Sequence, residues 1–430
     1  MQQGGPSMKK FRHWLETLNV THLVLILFII GILARIVTAM LVKVPHEIFY
    51  AEMEKLARSL AEHGTFADPY KIPTGPTAHH APVYPLLLSL IFRAFGYGKS
   101  ALWAMMLMNF CFASLQYALL PLLTDAAKVH RIVGVTSAAI GALLPYRIFR
   151  EVRWEATLNG FVIVLLTLIT TKWLKARPSS RLHSFAIGLA WGAGMLCCAN
   201  LLLVFLLLLL FIAILSWRHK QPHWAPAIAL AFLGMVVAVT PWNIRDYRAL
   251  GGFVFIRSNF GLEFSLSNHA GVYALLADNL VIGFPHNYYH EHHPWASAAE
   301  AEQVRELGEI QYNRRCLRQA LAWIRSEPHT FARLTLERII FFWFTPLGHQ
   351  RLRTSVLVLW TLIAAWGVFL ALRRHPDLGI QFLALWLGYP AVYYMIQIDT
   401  RYRYPIDWTF TFLAVYVLTR RLWDSPEKLP

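Results

Sequence analysis

The chain has 430 residues, of which 57% are hydrophobic and only 15% are charged. Several apolar runs reach the roughly 20 residues that a helix needs to cross a bilayer, which excludes a soluble globular protein. The formal net charge of +16 would suggest nucleic acid binding in a soluble protein. Here most of the excess lies in short loops between apolar runs, where it sets the orientation in the membrane. The four cysteines show no paired spacing, so neither a disulfide framework nor a zinc site is indicated.

The apolar runs predict an all-α polytopic membrane protein with about ten spans and both ends in the cytoplasm. The predicted spans are 22–42, 101–123, 131–147, 155–174, 183–198, 200–216, 224–241, 353–372, 378–397 and 404–420. Segment 83–96 is apolar but short, and we interpret it as a peripheral or half-inserted helix. With that interpretation every second loop is basic, as the positive-inside rule asks. If the segment crosses the membrane instead, this alternation is lost.

Three regions follow from this topology. Residues 1–241 form a transmembrane core whose first outer loop, 43–100, holds a candidate catalytic acid. Residues 242–352 form an extracytoplasmic segment, and residues 353–430 form the C-terminal transmembrane helices. Within the outer segment, apolar residues with a period of two around Phe253–Ile256 indicate extended structure. A polar helix near 296–326 and an amphipathic helix from Pro328 towards Trp343 are expected to follow.

The first outer loop begins with a predicted surface helix over 45–63. At about 100° per residue, Glu52 falls inside the apolar stripe of this helix. Glu47, Glu54 and Glu62 fall outside it, on the face expected to meet water. A buried carboxylate is costly unless it is paired or used. Glu52 is therefore either a catalytic or ligand-facing acid or the partner of a buried arginine or lysine.

Arginines gather at the predicted outer membrane face, against the positive-inside rule. Guanidinium groups bind phosphate bidentately, so a phosphate at headgroup level is one interpretation, and contact with anionic lipid or nearby acids is the other. The candidate phosphate ligands are Arg147, Arg153, Arg245, Arg257, Arg401 and Arg403. Glu155 lies on the same polar stripe as Arg147, deeper and without an obvious local partner, and is a candidate second functional acid.

The histidines fall into two groups. His79 and His80 follow the amphipathic helix and must fold back near the membrane, so either can bind a sugar or phosphate. The stretch PHNYYHEHHP looks like a metal site, but its spacing matches no tight ligand pattern. Its histidines are interpreted as solvated or structural; they are His286, His290, His292 and His293.

An ordered set of motifs runs over nearly the whole chain. The motifs are EMEKLARSLA (52–61), TGPTAHHAPVYPLL (74–87), FRAFG (92–96), TPWNIRDY (240–247), RSNFGLE (257–263) and RYRYP (401–405). With them the chain resembles bacterial polytopic glycosyltransferases of the C-type membrane fold (GT-C), related to the protein mannosyltransferases and aminoarabinose transferases. Each motif is weak alone, and the ordered set is specific for the superfamily and not for a substrate.

The resemblance implies a sugar transferase that acts outside the bacterial cytoplasmic membrane. In that group an acid in the first outer loop acts at the transfer site, the donor is usually a sugar on a polyprenyl phosphate, and the reaction inverts. By position this acid is Glu52, as the general base. Glu47 is its rival, because many relatives place Asp-Glu near the start of the helix. The resemblance further implies Tyr84, Asn259 and Glu263 as substrate-binding residues.

No metal and no cofactor are expected. An Asp-x-Asp motif is missing from the sequence, and a lipid phosphate would replace the nucleotide diphosphate that needs a cation. The expected partners are a polyprenyl-phosphate sugar donor, the bilayer, and a lipid, glycan or protein acceptor, without nucleic acid. The alternative function is a polytopic transporter or flippase of a lipid-linked sugar. The sequence names neither the sugar nor the acceptor, and the oligomeric state also stays open.

Overall fold

The computed structural model describes residues 17–42, 51–144, 154–176, 180–270, 272, 286–344, 351–396 and 399–420. Within these ranges the chain is built of α-helices and short 3₁₀ turns, and a lone β-bridge joins Ala67 to Pro76. The helices of the first part are α1 (Val20–Leu41), α2 (Glu52–His63), α3 (Val83–Phe95), α4 (Lys99–Ala118), α5 (Leu120–Ala127), α6 (Arg131–Leu143), α7 (Ala156–Ala176), α8 (Arg181–Met195), α9 (Leu201–Arg218) and α10 (Trp224–Leu250). Those of the second part are α11 (Phe260–Ser267), α12 (His286–His292), α13 (Ala298–Leu307), α14 (Glu309–Ser326), α15 (Pro328–Trp343), α16 (Arg351–Arg374), α17 (Pro376–Gly388) and α18 (Asp407–Leu418).

Each apolar run that was predicted to span the membrane contains a helix. Six helical stretches in the described ranges are long and apolar enough to cross, namely α1, α4 with α5, α7, α9, α10 and α16. The helices α6, α8, α17 and α18 have only 12 to 15 residues. At 1.5 Å per residue they measure about 18–23 Å, against a hydrocarbon core of about 30 Å. The all-α, multi-pass architecture is thus confirmed, and the count of ten spans stays a prediction.

The leucine-rich helix α9 shows the difference between the inside and the outside of this bundle. Leu201, Phe205 and Leu208 are buried against other helices, whereas Leu206 and Leu210 are exposed. In water, exposed apolar surface costs about 25 cal/mol per Å². An outward leucine face is stable only in an apolar solvent, so this surface is suited to lipid.

Two glycines let α8 and α10 pack closely. A Cβ atom added to Gly188 would stand 1.9 Å from the carbonyl oxygen of Ala231, and one added to Gly234 would stand 2.2 Å from that of Phe185. No larger side chain fits at either position without separating the helices. Small residues at contact points are the usual means of close helix packing in membranes.

The helix predicted over 45–63 begins at Glu52 in the part of the chain that the structure describes, since residues 43–50 lie outside it. Glu52 has an intermediate exposure, but Glu54 is only 7% exposed. The prediction that Glu54 faces water is therefore wrong. Helix α3 packs on α2 through Tyr84 and Leu88, so α2 is covered on more than the single apolar face that the helical wheel considers.

The outer segment differs from its prediction in two places. Residues 253–256 form no strand, and Ile256 adopts a left-handed conformation with φ of 62°. The expected single polar helix is two helices, because Gly308 with φ of 76° separates α13 from α14. The amphipathic helix α15 is present over Pro328–Trp343, as predicted.

Candidate active site

The loop between α2 and α3, residues 64–82, carries the candidate site and has a defined internal structure. Gly64 ends α2 in a left-handed conformation with φ of 69°, which glycine adopts without steric cost. The Asp68 carboxylate accepts hydrogen bonds from the backbone N–H groups of Thr74 at 2.8 Å and Gly75 at 2.7 Å. Asp side chains commonly stabilise tight turns in this way. The loop is therefore a folded element that can hold side chains in place.

Arg245, a predicted phosphate ligand, fastens this loop to α10. Its Nη1 donates to the carbonyl oxygen of Thr77 at 2.6 Å, and its Nη2 donates to that of Phe66 at 2.7 Å. Nη1 also donates to the Asp246 carboxylate at 2.9 Å. The guanidinium group is thus engaged by the protein itself, and it holds both sides of the loop.

Glu309, which the sequence did not single out, fastens the same loop to the start of α14. Its buried carboxylate accepts hydrogen bonds from the Thr77 hydroxyl, from the backbone N–H of Ala78 at 2.8 Å and from the Ser258 hydroxyl at 2.5 Å. A carboxylate that accepts several such bonds is strongly tied to its surroundings. Glu309 therefore joins the loop, the stretch after α10, and α14.

Glu52 lies at the centre of three imidazoles. Its Oε1 atom is 3.2 Å from Nε2 of His79 and 3.5 Å from Nε2 of His293. Its Oε2 atom is 3.1 Å from Nε2 of His80. The partners of Glu52 are therefore histidines, and not the arginine or lysine that was considered from the sequence. His293 is only 1% exposed, so the interpretation of this residue as solvated is wrong.

Burial and charge act against each other in this cluster. Burial alone would raise the pKa of the Glu52 carboxyl, but His79 and His293 outweigh it and hold the pKa well below its usual range. Burial lowers and Glu52 raises the pKa of His79, with a net rise. Burial dominates at His80, where it lowers the pKa to about 4. Glu52 is thus a carboxylate, and His80 is neutral near pH 7.

Three donor atoms of the cluster also meet the geometric requirement for a metal site. One oxygen of Glu52 and one nitrogen each of His79 and His293 lie within 4.8 Å of one another. Carboxylate and imidazole are ordinary ligands of zinc and other divalent transition metals. Among the described residues this is the group that can hold a metal ion.

Arg257, another predicted phosphate ligand, has accessible hydrogen-bonding capacity. Its Nε donates to the carbonyl oxygen of His79 at 3.2 Å. Its two terminal nitrogens make no hydrogen bond or ion pair with any residue in the described ranges. The two terminal NH2 groups of a guanidinium can donate side by side to two oxygens of one phosphate.

Glu155, the candidate second acid, lies directly after Trp154 at the start of α7. The Glu155 carboxylate makes no hydrogen bond or ion pair with the residues that the structure describes. Glu155 and Arg257 thus both have hydrogen-bonding capacity that the described residues do not use.

Arg401 lies next to Trp154, the residue before Glu155. Its guanidinium stands 4.4 Å from the centre of the Trp154 ring, and its Nη2 donates to the Tyr402 hydroxyl at 3.2 Å. Burial alone would lower the pKa of Arg401. Tyr402 and Asp399 raise it instead, and Glu155 adds to the rise. Arg401 therefore stays charged close to Glu155.

Arg403 is the predicted phosphate ligand that the structure contradicts. It is only 4% exposed. Its three nitrogens donate to Asp407 at 3.0 Å, to the carbonyl oxygen of Trp343 at 2.7 Å and to Thr361 at 3.3 Å. The buried guanidinium serves helix packing, because a charge in the bundle interior must be paired there.

The predicted substrate-binding residues lie around the loop. Asn259 is 8% exposed and its Nδ2 donates to the Glu263 carboxylate at 3.4 Å. Glu263 is partly exposed and raises the pKa of His79. Tyr84 is buried and bonded to Asn109 at 3.0 Å, which places it in the packing between α3 and α4. The residues Glu47, Arg147 and Arg153 lie outside the described residues.

Comparison with solved structures identifies the fold. The chain is similar to the archaeal oligosaccharyltransferase AglB from Archaeoglobus fulgidus, solved with an inhibitory peptide and a dolichol-phosphate, with a TM-score of 0.58 and 15% identity over 95% of this chain. It spans only 51% of that protein. A likeness to ArnT from Cupriavidus metallidurans, solved with undecaprenyl phosphate, has a TM-score of 0.41 and 14% identity over 93% of this chain and 78% of that one.

No protein-family model matches the chain, and no curated protein matches it either. The likeness to AglB rests on the arrangement of the helices, because the identity is low. A shared fold does not by itself establish a shared activity. The fold expected from the sequence motifs is confirmed: the chain has the polytopic helical fold that AglB shows.

Proposed function

We propose that the protein is a membrane glycosyltransferase. It moves a sugar from a polyprenyl-phosphate donor to an acceptor hydroxyl, with inversion, on the outer face of the bacterial cytoplasmic membrane. The fold supports this proposal, and the AglB structure that shares it contains a dolichol-phosphate. The observation that carries it is the guanidinium of Arg257, whose two terminal nitrogens make no hydrogen bond or ion pair with the described residues.

Arg257 is the proposed ligand of the donor phosphate. Its Nε is fixed by the His79 carbonyl, so its two terminal nitrogens are pre-oriented. As the bond from the anomeric carbon to the phosphate oxygen breaks, negative charge grows on the phosphate. A fixed guanidinium stabilises this charge in the transition state, where it contributes most to the rate. Arg401 is the second proposed ligand, since its Nη1 makes no hydrogen bond or ion pair with the described residues.

The acceptor hydroxyl must lose a proton as it attacks the anomeric carbon, and a carboxylate within hydrogen-bond reach can accept it. Glu52, Glu47 and Glu155 are the candidates. Both oxygens of Glu52 already contact imidazole nitrogens, and its side chain is only 16% exposed. We therefore assign Glu52 to holding the loop in place and favour Glu155 as the base, with Glu47 as the alternative.

The proposed reaction balances without a further reactant. The acceptor oxygen forms a bond to the anomeric carbon from the side opposite the phosphate. The bond between the anomeric carbon and the phosphate oxygen breaks, and the proton of the acceptor hydroxyl passes to Glu155. Polyprenyl phosphate leaves as the anion held by Arg257. A single displacement of this kind inverts the configuration at the anomeric carbon, as in inverting glycoside hydrolases.

The experiment compares Glu155→Gln with the partly exposed control Glu302→Gln at matched protein levels in nanodiscs. Sugar transfer from a polyprenyl-phosphate donor is followed by mass spectrometry of the released polyprenyl phosphate. Loss of a general base typically costs about 10²–10⁴ in rate, so Glu155→Gln is expected to be inactive and Glu302→Gln normal. Donor binding is expected to survive in both. Normal transfer by Glu155→Gln would move the base to another acid.

A further inference from the structure

The Glu52 cluster contains a feature that the proposed reaction does not use. Oε1 of Glu52 lies between two imidazole nitrogens, at 3.2 Å from His79 and 3.5 Å from His293. Two ligand atoms in a tetrahedral zinc site are about 3.3 Å apart, since each lies about 2 Å from the metal. The two distances from Oε1 of Glu52 are therefore those expected between ligands of a common ion, and all three donor atoms lie within 4.8 Å of one another.

The same atoms are not satisfied by hydrogen bonds. Oε1 of Glu52 and Nε2 of His79 are both buried, and neither has a hydrogen-bond partner, although they lie 3.2 Å apart. At that distance a hydrogen bond would form if the two atoms pointed at each other. Buried polar atoms without partners are rare in proteins and require an explanation. An ion bound between them would satisfy both atoms.

Neighbouring side chains contact Glu52, His79 and His293 and hold them in place, as the residues around a metal site do. The Tyr70 hydroxyl is 2.9 Å from Nδ1 of His79, on the side of the ring away from Glu52. The ring of Tyr289 stacks on His293 with the centroids 4.4 Å apart. The second Glu52 oxygen contacts His80 at 3.1 Å. Partners of this kind orient the ligands of metal ions and tune their affinity.

We propose that Glu52, His79 and His293 bind a divalent transition-metal ion, with zinc as the preferred ion. Two imidazoles and one carboxylate form a common ligand set for zinc. The ion joins α2, the loop 64–82 and the residues after α12. It therefore ties the first outer loop to the outer segment, and its role is to hold the site together.

Binding requires one rearrangement at His293. The backbone N–H of Trp295 donates to its Nδ1 at 3.0 Å, so the neutral ring carries its proton on Nε2. A metal ion at Nε2 displaces that proton to Nδ1, and the Trp295 contact opens. The ring exchanges one neutral tautomer for the other, so His293 itself releases no proton when it binds the metal.

The test measures metal content in the full-length protein, purified with a tag free of histidine after growth with zinc. Inductively coupled plasma mass spectrometry is expected to find about one zinc ion per chain. His79→Gln and His293→Gln are expected to reduce this at least tenfold, whereas the exposed neighbour His290 replaced by Gln retains it. Wild-type zinc content equal to that of the His79→Gln, His293→Gln double variant would overturn the proposal.

A second measurement does not depend on the folding of the variants. Wild-type protein is treated with a chelator, and its thermal unfolding is recorded before and after zinc is added back. Zinc is expected to raise the unfolding temperature by several degrees, because a ligand that binds only the folded state stabilises it. No shift at saturating zinc would mean that a proton on the imidazoles, and not a metal, balances the Glu52 charge. Sugar transfer is not part of either readout, so failure of this proposal leaves the proposed function untouched.

Discussion

Replacing Arg257 by glutamine tests the proposed donor site most specifically. The guanidinium has two terminal nitrogens without partners in the described ranges, while its Nε contacts the His79 carbonyl at 3.2 Å. A hydrogen bond to a charged group contributes about 1.5–3 kcal/mol. Loss of a bidentate phosphate contact therefore costs about 3 kcal/mol, which corresponds to a roughly 150-fold weaker affinity at about 1.4 kcal/mol per tenfold change.

The assay is binding of polyprenyl phosphate to protein in nanodiscs, measured by native mass spectrometry. Arg257→Lys keeps the charge but not the fork, and it is expected to fall between wild type and Arg257→Gln. Arg305 is exposed and pairs with Glu302 at the surface, so Arg305→Gln is the matched control and should bind normally. An Arg257→Gln affinity within twofold of wild type, in a protein with normal thermal unfolding, would refute a phosphate role for this residue.

Three further predictions concern the fold. Glu309→Ala leaves three donors without their acceptor. Each buried donor left without an acceptor costs about 1–3 kcal/mol, so the midpoint of thermal unfolding should fall clearly. An unchanged midpoint would contradict the role of Glu309 in holding the loop 64–82. Gly188→Ala should destabilise the folded protein by about 1–3 kcal/mol through overpacking. Gly98→Ala is the control and should not destabilise it, because a Cβ at Gly98 meets nothing within 4 Å. Equal unfolding midpoints of the two variants would contradict the close contact between α8 and α10. A cysteine at the exposed Ala299 should react with an impermeant reagent from outside, and one at Lys128 should not; labelling at Lys128 would overturn the topology.

The positions of the helices could be predicted from the sequence because apolar runs of sufficient length form helices in a bilayer. The contacts of the site could not. Glu309 lies 232 residues from Thr77, and His293 meets Glu52 across a similar separation. Nothing local in the sequence marks such pairs. The sequence grouped Arg257 with Arg403 as candidate phosphate ligands, and only their contacts distinguish the two.

The helical wheel of α2 shows a second limit. It correctly selected Glu52 as an inward-facing acid, but it placed Glu54 in water, where the structure has it buried. The wheel assigns one buried face to a helix, whereas α2 contacts α3 on one side and the outer segment on another. The tertiary partners of a helix therefore decide which of its polar residues are buried.

The central claim is that the protein breaks the bond between the sugar and the lipid phosphate. The direct measurement uses sealed proteoliposomes that contain the purified protein, a polyprenyl-phosphate sugar and candidate acceptors. Mass spectrometry follows the lipid, and the anomeric configuration of the product is determined. The account predicts that the donor is converted to polyprenyl phosphate and that the product is inverted. A donor that crosses the bilayer with its sugar still attached would contradict the account and identify a flippase.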